Sequence, residues 1–495
     1  MSLKREVGHG LFWVAIATIG TRGLAFLRQL VLARLLVPAD FGLVGYAVLT
    51  INILDLFKEL GFSSALIYRR EDVEEAANTA FLAILSSSIG LYAISWLAAP
   101  LVAQFFKNEA LVPVLRVLSS TLVISAISQV PLTLMARGMG FKNKVIPEMI
   151  AGIIGAAASV GLAFAGYGVW SIVYGQVIVT ALTSVLVWFF CPWRPTMAFS
   201  RQVARELWDY GRHIIGSQIM VLFITNIDDV FVGRFLGDAS LGLYNWAYDL
   251  SNQPATHLSR PVAQVMFPAF SKVQDDLSRL REVFFRSMKY VSLAAMPIAI
   301  VTMVFAKDFM IVAYGRKWAD AVVPLQWLAV YGLARAIAVN MGNVFKAGGK
   351  PKWLFGIATV RLTVMAVALY PAIHYGGITG VAILSAVVSV LDFGLSVAMT
   401  NRVIEASWTR YARILLPMLL AAVVSALLSH ELYLVIEPII HPFIGLPLAG
   451  GLALLIYLGA MYAYDPDIRL VAVQVMKGIE REFRRLRVAQ GQTRA

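Results

Sequence analysis

The fold is decided by the stretch LARLLVPADFGLVGYA, Leu32–Ala47, which is almost wholly apolar yet carries an arginine, a proline and an aspartate. Two hundred positions later the chain reads VGRFLGDASLGLYNWA, Val232–Ala247. Aligned without a gap, the second stretch repeats six residues of the first, namely Arg34, Leu36, Ala39, Gly42, Leu43 and Ala47. The chain therefore contains two copies of one structural unit.

Composition places the chain among membrane proteins. Of its 495 residues, 59% are hydrophobic and only 14% are charged, and its mean hydropathy is +0.74. A soluble globular chain of this size does not have such a composition. Within lipid, a helix satisfies its own backbone hydrogen bonds, so we predict an all-α polytopic membrane protein.

The apolar runs predict fourteen transmembrane helices, since about 20 apolar residues cross a hydrocarbon core of about 30 Å. The predicted spans are roughly 11–36, 41–66, 79–99, 110–135, 145–165, 169–191, 209–236, 240–268, 288–305, 320–345, 353–373, 377–400, 412–430 and 443–464. The first run continues as a span, so we expect it to stay in the mature protein rather than to be cleaved as a signal peptide.

Basic residues are distributed unequally between the two sides of the membrane. With the N-terminus inside, the outer segments hold little more than Lys107, Lys307, Arg316 and Lys317. The inner segments hold Lys4, Arg5, Arg69, Arg70, Arg137, Lys142, Lys144, Arg194, Arg201, Arg205, Lys346, Lys350, Lys352, Arg402, Arg410 and Arg413. This asymmetry predicts that both termini are cytoplasmic. The net charge of +13 is explained by this topology signal and by attraction to anionic membrane lipids. We therefore expect no nucleic-acid partner.

The repeat extends beyond the opening stretch. At an offset of 208, matching pairs are Gly140 and Gly348, Lys142 and Lys350, Lys144 and Lys352, Tyr167 and Tyr375, and Gly168 and Gly376. Spans one to six and seven to twelve thus form two like-oriented lobes around a central cavity, a geometry typical of transporters. The alternative is an old duplication that survives in a protein with another task. The predicted division is an N-terminal lobe at 1–205, a C-terminal lobe at 206–405, two further helices at 406–464 and a basic, amphipathic cytoplasmic tail at 465–495.

Each copy of the opening stretch predicts a helical hairpin at the outer surface. In each hairpin a glycine, Gly42 or Gly242, follows a short turn and lets the returning helix pack closely. Tyr46 and Trp246 occupy matched positions near the same surface. Their position favours an interfacial aromatic belt, with stacking on sugars as the alternative.

Three motifs in register resemble one family. They are the opening stretch, MFPAFSKVQDDLSRLR at Met266–Arg281, and YGRKWADAVVPLQWL at Tyr314–Leu328. With them the chain resembles Wzx-type polysaccharide flippases of the multidrug/oligosaccharidyl-lipid/polysaccharide exporter superfamily, in particular the colanic-acid and succinoglycan exporter branch. The resemblance implies a two-lobed bundle that moves an undecaprenyl-diphosphate-linked oligosaccharide across the bacterial inner membrane. Polysaccharide polymerase and export machinery would be further partners.

Arginines within the predicted spans are candidates for binding the diphosphate. Charges at the bilayer centre cost about 2.5–3.5 kcal/mol, so they face the bundle interior or a wet cavity. Guanidinium groups bind phosphate bidentately without losing their charge. Arg22, Arg28, Arg335 and Arg361 are the candidates. The alternative is that buried aspartates neutralise them and that they only hold helices together.

A gate is predicted where the repeat places Arg28 opposite Asp228. Opposite charges at pseudo-symmetric positions can meet when the outward side of the cleft closes. The neighbouring Asp229 adds a second carboxylate, so the pair is a candidate proton or cation site. A fixed structural salt bridge is the alternative.

No enzyme motif is found, so the sequence predicts no catalytic residue, metal site or cofactor. The loop VFKAGGKP, Val344–Pro351, lacks the first glycine and the hydroxyl residue of a phosphate-binding loop. Transport would then be driven by a proton or sodium gradient, or by the substrate gradient. Two rival functions stay open: a membrane-embedded polysaccharide polymerase or glycosyltransferase, and a drug or cation exporter.

Overall fold

The computed structural model describes residues 20, 23–69, 71–138, 141–254, 260–350 and 352–470. These residues form helices joined by short connections, and they include no strand. The predicted tail beyond residue 470 lies outside the described residues, as do Arg22 and residues 11–19 of the first predicted span. The all-α fold class is confirmed.

In the described residues, seventeen α-helices are numbered α1 to α17 in chain order, and a further helical segment follows at 466–470. The first eight are 23–35, Pro38–Lys58, Phe62–Tyr68, Val73–Phe106, Leu111–Leu118, Ser120–Arg137, Phe141–Phe164 and Val169–Phe190. The remaining nine are Arg201–Leu236, Asp238–Pro254, Arg260–Lys272, Leu277–Val304, Ala306–Phe309, Val322–Ala347, Lys352–Ile404, Trp408–Ile436 and Pro442–Tyr464. A π-helical turn at Met310–Tyr314 and a 3₁₀ helix at Arg316–Ala321 precede α14.

Ten helical segments of the described chain are long and apolar enough to cross a membrane. One of them is the 53-residue α15, in which Gly377 has φ +55° and divides the helix into two segments. The predicted spans seven and eight fall on α9 and α10, which are helical but carry more charge. The chain is a multi-pass membrane protein, and the count of fourteen spans stays a prediction.

The chain divides into two compact units. The first comprises 1–247, 313–324 and 362–384, and the second comprises 248–312, 325–361 and 385–495. These units reflect packing, whereas the lobes predicted from the sequence reflect the repeat. The predicted lobe boundaries are not tested by this division.

Within the first unit, the two hairpins of the repeat pack directly against each other. A Cβ atom on Gly42 would lie 1.8 Å from the carbonyl oxygen of Asp238, and one on Gly242 would lie 2.0 Å from that of Pro38. Pro38 and Asp238 are equivalent positions of the repeat, as are the two glycines. The hairpin contact, Pro38–Gly42 against Asp238–Gly242, is therefore pseudo-symmetric, and glycine is required on both sides because any side chain would collide with backbone.

The second unit has a core of apolar side chains from α11, α12, α14, α15, α16 and α17. Its fully buried members include Phe284, Met288, Met341, Phe345 and Tyr457. This core fixes the relative positions of α12, α14 and α15, and two of these helices, α14 and α15, carry the candidate site.

Candidate anion-binding site

The site lies in the second unit and is built from α10, α14 and α15. Tyr331 and Arg335 are four residues apart on α14, so they lie on one face of that helix. Tyr248 is on α10, and Arg361 is on α15. A Cβ atom on Gly332 would lie 2.1 Å from the carbonyl oxygen of Ser251. The glycine thus allows α14 and α10 to approach closely and brings their two tyrosines together.

Two guanidinium groups converge on the hydroxyl group of Tyr331. Arg335 donates from Nη1 to this hydroxyl at 2.9 Å, and Arg361 donates from Nη2 at 3.3 Å. Arg335 also donates to the hydroxyl of Tyr248 at 3.2 Å, and the two hydroxyl oxygens are 3.1 Å apart. We call Tyr248, Tyr331, Arg335 and Arg361 the arginine–tyrosine cluster.

The tyrosine rings add a second interaction with the two cations. The guanidinium carbons of Arg335 and Arg361 each lie 5.9 Å from the ring centroid of Tyr331, within cation–π range. One phenol therefore holds two like charges in place through its oxygen and its ring. Like charges repel each other, so an anion between them would be favoured electrostatically.

No carboxylate in the described part of the chain forms an ion pair with Arg335 or Arg361. Asp392, on α15, interacts electrostatically with both arginines from a longer distance. A guanidinium group carries five N–H donors, and the tyrosines use only a minority of them. The arginines thus keep donors that a phosphate group would fill.

The other predicted arginines have different outcomes. Arg22 lies outside the described residues. Arg28 lies in α1, and its Nε is buried with no hydrogen-bond partner among the described residues. A buried donor without a partner costs free energy, so Arg28 is suited to receive an acceptor from a ligand or from another conformation.

The predicted gate residues lie in the first unit. Asp228 is 6% exposed, and its Oδ2 accepts a hydrogen bond of 2.7 Å from the hydroxyl of Tyr244. Asp228 and Asp229 both have interaction partners in this structure. The gate was expected in one transport state only, so it stays a prediction.

The predicted aromatic belt is wrong for Tyr46 and Trp246, because both side chains are buried within the first unit. Tyr46 is 1% exposed and donates to the carbonyl oxygen of Gly233 at 2.9 Å. Trp246 is 3% exposed and packs against Phe41 and Trp318, with ring centroids 5.6 Å and 5.3 Å away. Sequence alone could not separate the two environments, since an aromatic residue at a helix end suits both.

Sequence reasoning also missed the tyrosines of the cluster. The spacing of Tyr331 and Arg335 was the available signal, because residues four apart on a helix are neighbours. The contribution of Tyr248 depends on the packing of α10 against α14, which no local pattern indicates.

A model of the polysaccharide biosynthesis protein family matches residues 31–323, more than half of the chain. This chain belongs to the polysaccharide biosynthesis protein family. It is similar to the lipopolysaccharide biosynthesis protein WzxC of Escherichia coli (strain K12), with 26% identity over 414 residues, covering 83% of this chain and 84% of the relative. It is also similar to the succinoglycan biosynthesis transport protein ExoT of Rhizobium meliloti (strain 1021), with 28% identity over 387 residues, covering 77% and 75%.

The fold of this family member is also found in a solved structure of the lipid II flippase MurJ in an inward closed conformation. The two superpose with a TM-score of 0.68 at 14% identity, covering 92% of this chain and 99% of that chain. The resemblance to polysaccharide exporters that the sequence motifs predict is confirmed by the family match and these relatives.

Proposed function

We propose that this chain is a flippase that moves an undecaprenyl-diphosphate-linked oligosaccharide from the inner to the outer leaflet of the bacterial inner membrane by alternating access. Membership of the polysaccharide biosynthesis protein family and the MurJ-like fold support this proposal. Its relatives are named as lipopolysaccharide and succinoglycan biosynthesis proteins. The product would serve the synthesis of an exopolysaccharide or O-antigen.

The observation that carries the proposal is the convergence of Arg335 and Arg361 on one tyrosine hydroxyl. A diphosphate is a compact anion whose oxygens match the fork of N–H donors on a guanidinium group. Two fixed guanidinium groups favour a ligand with adjacent phosphates and disfavour a cation. The cluster therefore supports a lipid diphosphate over the substrate of a drug or cation exporter.

Coupling to an ion is the second part of the proposal. Arg28 would exchange Asp228 for the incoming diphosphate, and the released Asp228 and Asp229 would accept a proton or a sodium ion. The loss of the contact between Arg28 and Asp228 would open the outward gate. An exchange of the two charges tests this step. Arg28→Asp alone should fail to support transport. Arg28→Asp combined with Asp228→Arg should restore a closed gate that can be crosslinked, without full transport. If the two positions, changed to cysteine, crosslink in no state, the gate proposal is wrong.

The topology proposed from the basic residues places both termini in the cytoplasm, with Lys350 inside and Ala239 outside. Reporter fusions at these two residues and at the C-terminus test it. A C-terminal reporter that signals from the periplasm would contradict the orientation.

Deletion of the gene should test the function directly. A strain without the flippase should accumulate single lipid-linked oligosaccharide units in the inner leaflet, whereas loss of a polymerase would leave them in the outer leaflet. Complementation with Arg335→Ala should fail, and Arg335→Lys should restore export only in part because an ammonium group cannot bind bidentately.

Arg116→Ala is a matched control, because this arginine also lies in a predicted span. Its guanidinium carbon lies 4.8 Å from the ring centroid of Trp96. This local cation–π contact explains the charge without a ligand. Normal export with Arg335→Ala and Arg361→Ala, at normal protein levels, would contradict the anion-binding role.

A further inference from the structure

A second basic site lies in the second unit, formed by α12, the first turns of α16 and the residues after α17. It is a cavity of about 710 Å³. Its lining includes four cationic side chains, Arg286, Lys289, Arg410 and Arg413, and two acidic ones, Glu282 and Asp467. None of these residues belongs to the arginine–tyrosine cluster.

One of the four cations already has acidic partners. Lys289 Nζ lies 2.5 Å from Asp465 and 3.0 Å from Asp467. The hydrogen bond from Lys289 and the charges of Lys289 and Arg286 hold the pKa of the Asp467 carboxyl below its usual range. Of the two aspartates, Asp467 lines the cavity, and Lys289 already pairs with it there.

Among the residues that the structure describes, the three arginines are not held by a carboxylate at ion-pair distance. In the described part of the chain, Arg286, Arg410 and Arg413 form no ion pair and no hydrogen bond to a carboxylate. The guanidinium carbon of Arg410 lies 4.5 Å from the ring centroid of Phe285, which fixes its position over an apolar wall of the cavity. Guanidinium groups on an open cavity offer bidentate donors to a phosphate group.

Exposed aromatic residues indicate the depth of this cavity in the bilayer. Trp408, at the start of α16, is 57% exposed, and Tyr462 and Tyr464, at the end of α17, are also exposed. Tryptophan and tyrosine at the ends of membrane helices mark the headgroup region. Arg410 and Arg413 follow Trp408 within two turns, so this aromatic pattern predicts that their side chains reach the level of the lipid phosphates.

We propose that this cavity binds the phosphate of an anionic phospholipid, such as phosphatidylglycerol, from the leaflet that borders it. The three arginines contact the phosphate, and the apolar surface of Phe285 and Ile414 lies against the glycerol and the first methylene groups. A bound lipid would link α12, α16 and the segment after α17. The proposal does not depend on the function proposed above.

The test uses the full-length protein in detergent and native mass spectrometry with dioleoyl phosphatidylglycerol. Dioleoyl phosphatidylcholine has the same chains and no net charge. We expect tighter binding of phosphatidylglycerol, and we expect Arg410→Ala with Arg413→Ala to weaken it by about ten- to thirty-fold. The exposed arginines Arg279 and Arg402, changed to alanine together, are the matched control because they remove the same charge outside the cavity.

Two further arms identify the source of the phosphate. Inorganic diphosphate and undecaprenyl diphosphate are titrated against bound phosphatidylglycerol. The proposal would be overturned if inorganic diphosphate or undecaprenyl diphosphate bound the cavity preferentially and phosphatidylglycerol bound no better than phosphatidylcholine. Equal loss of phosphatidylglycerol in the cavity variant and the control variant would also overturn it, since binding would then reflect only net charge. Partial retention by Arg410→Lys with Arg413→Lys would support it.

Discussion

The hairpin contact and the arginine–tyrosine cluster relate to the internal repeat in opposite ways. The hairpin contact joins equivalent residues of both copies, with each glycine seated on the backbone of the other hairpin. The cluster has no counterpart in the first copy. At the same offsets, Tyr248, Tyr331, Arg335 and Arg361 correspond to Val48, Val123, Ile127 and Ile153. The repeat thus preserves packing, whereas the charged site is present in the second copy only.

Enlarging the hairpin glycines should have the largest effect on folding, and the same effect in both copies. We expect Gly42→Leu and Gly242→Leu each to destabilise the protein by about 3 kcal/mol or more, at the upper end for overpacking, because no rotamer avoids the facing carbonyl. Thermal stability in detergent, followed by fluorescence-detected size exclusion, measures this loss. Gly90→Leu is the control, since a Cβ atom there meets nothing within 4 Å. Unequal effects of the two hairpin variants would contradict the pseudo-symmetric contact.

Removing the shared hydroxyl of the cluster should impair transport but not folding. Tyr331→Phe deletes the acceptor of hydrogen bonds from Arg335 and Arg361. Hydrogen bonds to charged groups contribute about 1.5–3 kcal/mol, so export should fall by about ten-fold or more. Tyr248→Phe, which removes one such bond, should have a smaller effect.

The control for these tyrosine variants is Tyr375→Phe, because Tyr375 is exposed and lies in the first unit. Export rate per folded molecule is the quantity to compare. If Tyr331→Phe exports normally, the hydroxyl does not position the arginines for transport.

A smaller change in stability is expected for Tyr46, whose hydroxyl donates to the carbonyl oxygen of Gly233. Tyr46→Phe should destabilise the first unit by about 1 kcal/mol, the net contribution of a typical hydrogen bond. Export should remain normal, which would separate residues that support packing from residues of the cluster. A loss of export without loss of stability would place Tyr46 in the transport pathway.

The smallest effect is expected for the exposed ion pair between Arg69 and Glu206, at 2.7 Å. The hydrogen bond from Arg69 lowers the pKa of Glu206 in the folded protein. The pair therefore stabilises the folded state at pH values above the pKa that Glu206 has in the unfolded chain. This contribution is lost as the pH falls through the lower pKa that Glu206 has in the folded protein. Glu206→Gln should therefore leave stability at neutral pH nearly unchanged, as for most exposed pairs. A large loss in melting experiments between pH 7 and pH 4 that depends on Glu206 would contradict this ranking.

These differences explain how much the sequence could predict. The helices, the membrane class and the hairpin glycines follow from hydropathy and from the repeat, because both are periodic signals along the chain. The candidate roles of Arg335 and Arg361 follow from the cost of charge in lipid. Their convergence on Tyr331 does not, since it depends on packing between α10, α14 and α15. The burial of Tyr46 and Trp246 was mispredicted for the same reason: contacts between distant segments leave no local pattern.

Direct binding of undecaprenyl diphosphate to the purified full-length protein tests the central claim, that the arginine–tyrosine cluster binds the diphosphate. We expect Arg335→Ala with Arg361→Ala to weaken binding by about one hundred-fold, since each charge-assisted contact contributes about 1.5–3 kcal/mol. Arg335→Lys should give an intermediate affinity, and Arg116→Ala should bind as the unaltered protein does. An unchanged dissociation constant in the double variant, with the protein folded, would contradict the claim.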